Sequence, residues 1–416
     1  MAFVDPARLR PVVEAAVQQA KITDVHTHLY PPAFGDLLLW GIDELITYHY
    51  LVAENFRWVD LPYADFWAMS KQEQADLIWR TLFLERSPVS ESCRGILTTL
   101  AKLGLDVSSR DLGAYRRHFA ETTVEAYVDR VFEVAGVREV VMTNDPFDHA
   151  ERAVWLAERP RDPRFRAALR LDALLNQWDQ TWSRLTAWGY RVEQGLGGDT
   201  RREVIRFLRE WVERMEALYL AVSLPPTFTM PEPSARGRLI AECVVPACEQ
   251  LNRPFAMMIG VKKLANPELC LAGDSVGKAS IETVEHLCAQ YPRTKFLVTM
   301  LSRENQHELC VAARKFRNLL PFGCWWFLNN PSLVEEISCM RLELLGLSMV
   351  PQHSDARVLD QLIYKWDHSR RIIAQVLCDK YRDLLATGWR LEEDEIARDV
   401  EALFGGNFRR FLEQRL

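Results

Sequence analysis

The sequence predicts a (β/α)8 TIM barrel of α/β class carrying helical insertions, and three observations lead there. Over residues 254–385 short apolar strands alternate with amphipathic helices on a regular beat, the pattern of a parallel sheet covered by helices. Eight strands can be counted along the chain, provided that residues 46–51 form the second. Chemistry-bearing residues gather at the C-terminal ends of the first and last strands, which are neighbours once a barrel closes and lie on its active face. A length of 416 residues suits one barrel domain with insertions.

In chain order, Asp5-Pro6 is a helix-start signal, a capping acid followed by proline, and predicts a helix to about residue 19. Residues 21–28 alternate like a strand and stop at Tyr30-Pro31-Pro32. Residues 55–135 read as a helical insertion, with a capping box at Ser70-Lys71-Gln72-Glu73 ahead of Ala75, Ile78 and Leu82 at helical spacing. Strands follow at 137–143 and 165–171. A second insertion, 173–240, holds Trp178, Trp182 and Trp188, a Gly195-Leu196-Gly197-Gly198 turn and a helix near 200–218. Strands at 254–260, 295–301, 319–327 and 348–353 then alternate with helices at 281–290, 306–316, 333–345 and 358–385.

Composition removes several function classes. Hydrophobic residues make up 48% and charged residues 26%, ordinary for a globular core. A net charge of −6 gives no support to a nucleic-acid or anionic-membrane partner. The nine cysteines include no C-x-x-C pair, which argues against a disulfide scaffold or a cysteine zinc site and for a reducing compartment. The N-terminal residues from Met1 lack a basic segment followed by an apolar one, and no apolar run is long enough to span a bilayer, so the expectation is a cytoplasmic protein.

The strongest local signal is His26-Thr27-His28. Alternate strand residues share a face, so both imidazoles can enter one cavity and form a divalent-metal pair, with Asp24 a step deeper on the same face. At the end of the last strand, His353-Ser354-Asp355-Ala356-Arg357 offers Asp355 as a third ligand, leaving an open position for water or substrate. Arg357 faces the same side if the chain stays extended, and its fixed charge suits a carboxylate or a developing enolate oxygen.

Asp24-Val25-His26-Thr27-His28 resembles the first-strand signature of the amidohydrolase superfamily. A larger set of motifs is more specific. It comprises Asn305-Gln306-His307-Glu308-Leu309, Gly323-Cys324-Trp325-Trp326-Phe327-Leu328-Asn329, Arg341-Leu342-Glu343-Leu344-Leu345-Gly346, Pro351-Gln352-His353-Ser354-Asp355-Ala356-Arg357, and Tyr364-Lys365-Trp366 with His368-Ser369-Arg370. Together with Ser92-Cys93-Arg94-Gly95 and Leu103-Gly104-Leu105-Asp106, these resemble the uronate isomerase (glucuronate isomerase) family over nearly the whole chain.

The resemblance implies interconversion of D-glucuronate with D-fructuronate, and of D-galacturonate with D-tagaturonate. This is an aldose–ketose isomerisation that moves a proton between C2 and C1 through a cis-enediol. The implied cofactor is one divalent metal on His26, His28 and Asp355, zinc first, with manganese, iron or cobalt open. Tyr50 is the implied base; its phenol, with an ordinary pKa near ~10, needs acidifying by Arg357 or the metal. His49 and Arg170 are candidates for the substrate carboxylate, with a structural ion pair to Asp172 as the other reading of Arg170. Trp325 and Asn329 are candidates for a sugar-facing wall and a hydroxyl contact, and Asp355 for moving a proton during ring opening.

Departures from the hydrolytic superfamily pattern favour a single metal. The fourth counted strand offers Arg170 where binuclear hydrolases carry a bridging lysine, and the fifth and sixth end without histidine. The alternative is a mononuclear metal-dependent hydrolase of a lactone, ester or amide. Lys262-Lys263 reads as a solvated pair. The expected partner is a small uronic acid, with no nucleic acid or membrane, and the tryptophans of the insertions are compatible with a homo-oligomer.

Overall fold

The structure, a computed structural model, describes residues 3–157 and 160–416; Met1, Ala2, Glu158 and Arg159, including the first two residues of the N-terminal segment read above, lie outside the described residues. Among the described residues seven strands form one parallel sheet: β1 (Ile22–Thr27), β2 (Val137–Asn144), β3 (Phe165–Arg170), β4 (Leu220–Leu224), β5 (Phe255–Ile259), β6 (Phe296–Met300) and β7 (Leu319–Pro321). Their order in the sheet is their order in the chain, so every crossover moves one strand in the same direction and no switch point exists. A twisted parallel sheet wound this way curls.

The strands are buried on both faces, which is why β5 (Phe-Ala-Met-Met-Ile) reads as an unbroken apolar run and β6 (Phe-Leu-Val-Thr-Met) as one interrupted by Thr299 alone. Alternate residues nevertheless go to different places. Val25, Val141, Ala168, Ala221, Ala256, Leu297 and Leu320, one from each strand, join Val350 in an inner cluster. Their neighbours, such as Val140, Leu169, Val222, Met257 and Val298, pack outward against helices in a larger one. The inner set is small or branched, as the concave side of a curled sheet requires.

Residues 350–356 run between the two sheet edges. The Val350 N–H donates to Pro321 O (3.2 Å) and Gly323 N–H to Val350 O (2.9 Å), on the β7 side. On the β1 side, Asp355 N–H donates to His26 O (3.1 Å) and His28 N–H to Ala356 O (2.7 Å). This seam has a single ladder bridge, Phe322 with Val350, rather than the strand expected at 348–353.

Two further expectations are corrected. Residues 46–51 are not a strand: helices Ile42–Ile46 and His49–Asn55 meet there. Aromatic and β-branched residues suggested a strand, but the buried set Tyr48, Leu51, Val52, Asn55 has a helical period. Conversely, β4 lies inside the stretch read as the second insertion. Its helix, Thr200–Met215, stops at Glu216 in the left-handed conformation (φ 50°), so no glycine or proline announces the break four residues before the strand. The two errors cancel, which left the ordinal numbers from the fifth strand on unchanged, while Arg170 ends the third strand rather than the fourth. The predicted capping box at Ser70 is present, and the strand expected to reach 327 ends at Pro321.

The long helix Gln361–Ala386 returns behind the seam. It packs so closely on the helix Glu91–Lys102 that a Cβ on Gly95 would stand 2.6 Å from the Tyr364 ring. His368 fastens the same contact, its Nδ1 2.6 Å from Glu91 and its Nε2 2.9 Å from Thr98 Oγ1. These pairings account for the Ser92–Gly95 and Tyr364–His368 motifs as packing partners.

Candidate active site

His26 at the end of β1, His28 just beyond it and Asp355 in the seam converge. The Nε2 atoms of His26 and His28 lie 3.5 and 3.3 Å from the same oxygen, Asp355 Oδ1. One ligand atom from each of the three residues falls within 4.8 Å of the others. The exposures of the three side chains are 0%, 15% and 7%, so water cannot readily screen them.

Both imidazole tautomers are fixed by hydroxyls whose own protons are already committed. Tyr219 Oη donates to Val25 O (2.8 Å), so His26 Nδ1, 3.3 Å away, must donate to that hydroxyl. Thr143 Oγ1 donates to Thr27 O (3.0 Å), so His28 Nδ1, 2.9 Å away, must donate to it. Each Nε2 therefore presents a lone pair toward a carboxylate oxygen. Burial, then Arg357, pushes the His28 pKa down to about 3, so this imidazole is neutral at neutral pH. His26 Nε2 and Asp355 Oδ1 are buried without a hydrogen-bond partner. Two lone pairs facing an anionic oxygen repel unless a cation sits among them, so the donor set fits a divalent metal.

Tyr219 stands just ahead of β4, the strand missed in the sequence, and went unread for that reason. A Tyr219→Phe variant is expected to fold but to bind zinc ~10–100-fold more weakly, the usual cost of losing an orienting partner of a metal-ligating histidine. A chelator-competition titration checks this, and an unchanged affinity would show that the hydroxyl does not orient His26.

Asp355 adopts a left-handed backbone (φ 51°), so the chain does not continue extended to Arg357. The surroundings hold this sparsely populated geometry in place. Ser354 O accepts from Lys365 Nζ (2.6 Å) and Asn329 Nδ2 (3.0 Å), and Ser354 N–H donates to Asp24 Oδ1 (3.0 Å). Asp24 also accepts from Trp366 Nε1 (2.8 Å). It thus braces the loop that carries Asp355 and does not hydrogen-bond to either imidazole. Asn329, expected at a substrate hydroxyl, is spent on this loop: its amide nitrogen donates to His353 O and Ser354 O, and its oxygen accepts from Gln352.

A tight cavity of about 20 Å³ is lined by His26, His28, Tyr48, His49, Arg170, Lys263, Trp325, Asp355 and Arg357. Arg357 reaches this wall despite the turn, and its guanidinium makes no hydrogen bond or ion pair among the described residues. Arg170 also reaches it, already paired with Asp172 (3.0 Å), whose charge holds the guanidinium well above its ordinary pKa. His49 is pushed down to about 3 by burial and by Arg357, so it supplies a hydrogen bond but no charge. Lys263 touches the cavity lining and pairs with Asp274 (2.7 Å), while 60% of its side chain remains exposed, as the reading of Lys262-Lys263 as a solvated pair expects. Tyr48 lines the wall where Tyr50 was expected. The Tyr50 hydroxyl is buried nearby without a partner, pushed well above 10 by burial and only partly drawn back by Arg357. His353 is fully buried against His26, at a ring separation of 5.1 Å, and neither of its nitrogens has a partner. Its ring occupies the space a Cβ on Gly323 (φ 67°) would take.

An outer cavity of about 560 Å³ adjoins the first. Arg170, Ser223, Val261 and Lys263 line both, and Asp145, Asp148, Arg184 and Arg236 ring the outer one.

A uronate isomerase from Bacillus halodurans C-125 superposes on this chain with a TM-score of 0.98 and 59% sequence identity, covering 100% of this chain and 98% of the other. The chain belongs to the uronate isomerase family. A uronate isomerase from Thermotoga maritima (TM-score 0.79, 99% and 98% covered) and a glucuronate isomerase from Caulobacter crescentus (0.75, 100% and 96%) share its fold at 14% identity each. A metal-dependent hydrolase from Lactobacillus casei is similar more distantly, at a TM-score of 0.56 and 13% identity over 97% and 99% of the chains. No protein-family model and no curated protein matches the sequence. Among the described residues no helix is long and apolar enough to cross a membrane.

Proposed function

We propose that this uronate isomerase interconverts D-glucuronate and D-fructuronate, and D-galacturonate and D-tagaturonate, at the His26–His28–Asp355 centre. The observation that carries the reading is the 59% identity to a uronate isomerase over the whole chain, joined to a site with a metal-ready trio and an unpaired guanidinium facing it. The inner cluster and the hydrogen bonds at both edges of the seam support a closed (β/α)8 barrel whose eighth stave is residues 350–356. Residues 55–135 and 173–240, less β4, are then helical excursions from a single catalytic domain.

The inner cavity cannot hold a whole sugar acid. We place the C1–C2 end at the trio and let the chain extend toward Arg170 and Lys263 at the junction with the outer cavity. Arg170, part-neutralised by Asp172, and Lys263 then serve the carboxylate, with His49 as a neutral donor and Trp325 as the wall. A divalent cation on His26, His28 and Asp355, zinc by its donor set, would act as an electrophile toward the C1 and C2 oxygens. Asp355 accepts the anomeric hydroxyl proton and passes it to the ring oxygen as the bond between C1 and that oxygen breaks. Tyr50, as phenolate, takes the C2 proton and returns it at C1 while the O2 hydroxyl proton passes to O1; burial opposes the phenolate, and the field of Arg357 offsets part of that cost and favours the enediol oxygens.

Proton exchange decides the reading. Incubation of the zinc-supplied protein with each uronate in D2O is expected to place deuterium at C1 or C2 and to yield the ketose. Neither product from either uronate would sink the assignment, and turnover of a lactone panel in its place would favour a mononuclear hydrolase.

A further inference from the structure

We propose that Lys365 is a buried counter-charge that limits how tightly the His26–His28–Asp355 group holds a divalent cation. The proposal rests on reading that trio as a metal site. Lys365 lies in the first turns of the helix Gln361–Ala386 and is only 4% exposed. Among the described residues its ammonium has no carboxylate partner within ion-pair distance. Its one hydrogen bond is to the carbonyl of Ser354, the residue before Asp355.

Burying an ammonium with so little compensation is costly, and a methionine would fill the same volume without that penalty. A neutral donor would satisfy the carbonyl, which Asn329 already contacts. What neither provides is positive charge beneath the trio. The amine is lowered to about 8 by burial, against the opposing pull of Asp355 and Asp24, and so stays cationic at neutral pH.

The charges around the centre then balance without a metal. Lys365 and Arg357 carry the cations against the Asp355 carboxylate, and burial raises the Asp24 carboxyl above its ordinary pKa, so it adds at most one further anion. An arriving dication meets two lone pairs and a carboxylate, but no net negative charge, and it is repelled by the two cations. Arg357 faces the cavity, where an anionic substrate can offset it. Lys365 is sealed behind the seam and opposes the metal at every stage.

The sign of one measurement separates this role from a purely structural one. Zinc affinity is read by competition with a chromophoric chelator for the wild type, Lys365→Met, Lys365→Gln and Lys365→Arg, with His26→Ala as a control. Removing the charge is expected to tighten zinc binding at least tenfold in Lys365→Met and Lys365→Gln, and Lys365→Arg should stay within about threefold of wild type. If Lys365 only props the Asp355 loop, the neutral variants bind zinc more weakly, and weaker or unchanged binding overturns the proposal. Failure of both neutral variants to fold also overturns it, because the amine's role would then be structural. If His26→Ala binds zinc like the wild type, the trio is not the zinc site and the metal reading itself fails.

Discussion

Asp355→Asn is expected to lower kcat for uronate isomerisation by about a thousandfold, within the range for loss of a positioned acid–base group, and to weaken zinc binding in the same protein. Asparagine keeps the volume and tolerates the left-handed backbone at φ 51° at least as well as aspartate. The backbone bond from residue 355 to His26 O does not involve the side chain and should survive. Thermal stability should therefore stay close to wild type, which separates a chemical defect from a folding one. The amide cannot accept a proton from the sugar hydroxyl, and it is a far poorer metal ligand than a carboxylate. Steady-state rates with D-glucuronate, alongside a melting curve and a zinc titration, check the point. A variant that retains a tenth of wild-type kcat would remove Asp355 from the chemistry.

Arg357→Met is expected to lower kcat/KM by about a hundredfold or more, the scale on which losing one preorganised electrostatic contact acts. The guanidinium faces the cavity without a pairing partner, whereas Arg170 and Lys263 already hold Asp172 and Asp274. It is thus the cation with most left to give a developing negative charge. Its field also presses the pKa values of His28 and His49 down and draws that of Tyr50 back. Removing it should let both imidazoles protonate more easily and push the Tyr50 phenol higher, so the acid limb of the rate profile should move to higher pH. Arg357→Lys should recover only part of the loss, because an ammonium lacks the planar fork. A fall in kcat/KM below fivefold in Arg357→Met, with no movement of the profile, would retire the role.

Some of this was legible in the residues and some was not. The two imidazoles and Asp355 were readable because strand alternation and barrel adjacency convert sequence spacing into shared space. The alternating units after residue 254 were readable because each strand is an apolar run bounded by turns. β4 was hidden because its boundary is a left-handed glutamate, and its partner residue Tyr219 was hidden with it. The engagement of Asn329 and Asp24 with the seam could not be read, because both depend on which way one carbonyl and one N–H of Ser354 point. The pairing of Lys263 with Asp274 depends in turn on the path of the loop between them.

The two halves of the centre come from opposite ends of the message. Asp24 and Ser354, which clasp beside the trio, are 330 residues apart. At synthesis rates of about 5–20 residues per second, the carboxylate leaves the ribosome roughly 15 to 65 seconds after the imidazoles. For that interval β1 lacks its second neighbour and the histidines are a two-toothed stub, so a chain interrupted before the seam has no centre to rescue. A cation bound across the join would then be a late rivet on the longest loop in the molecule, holding the first strand to the last stave after the rest has packed.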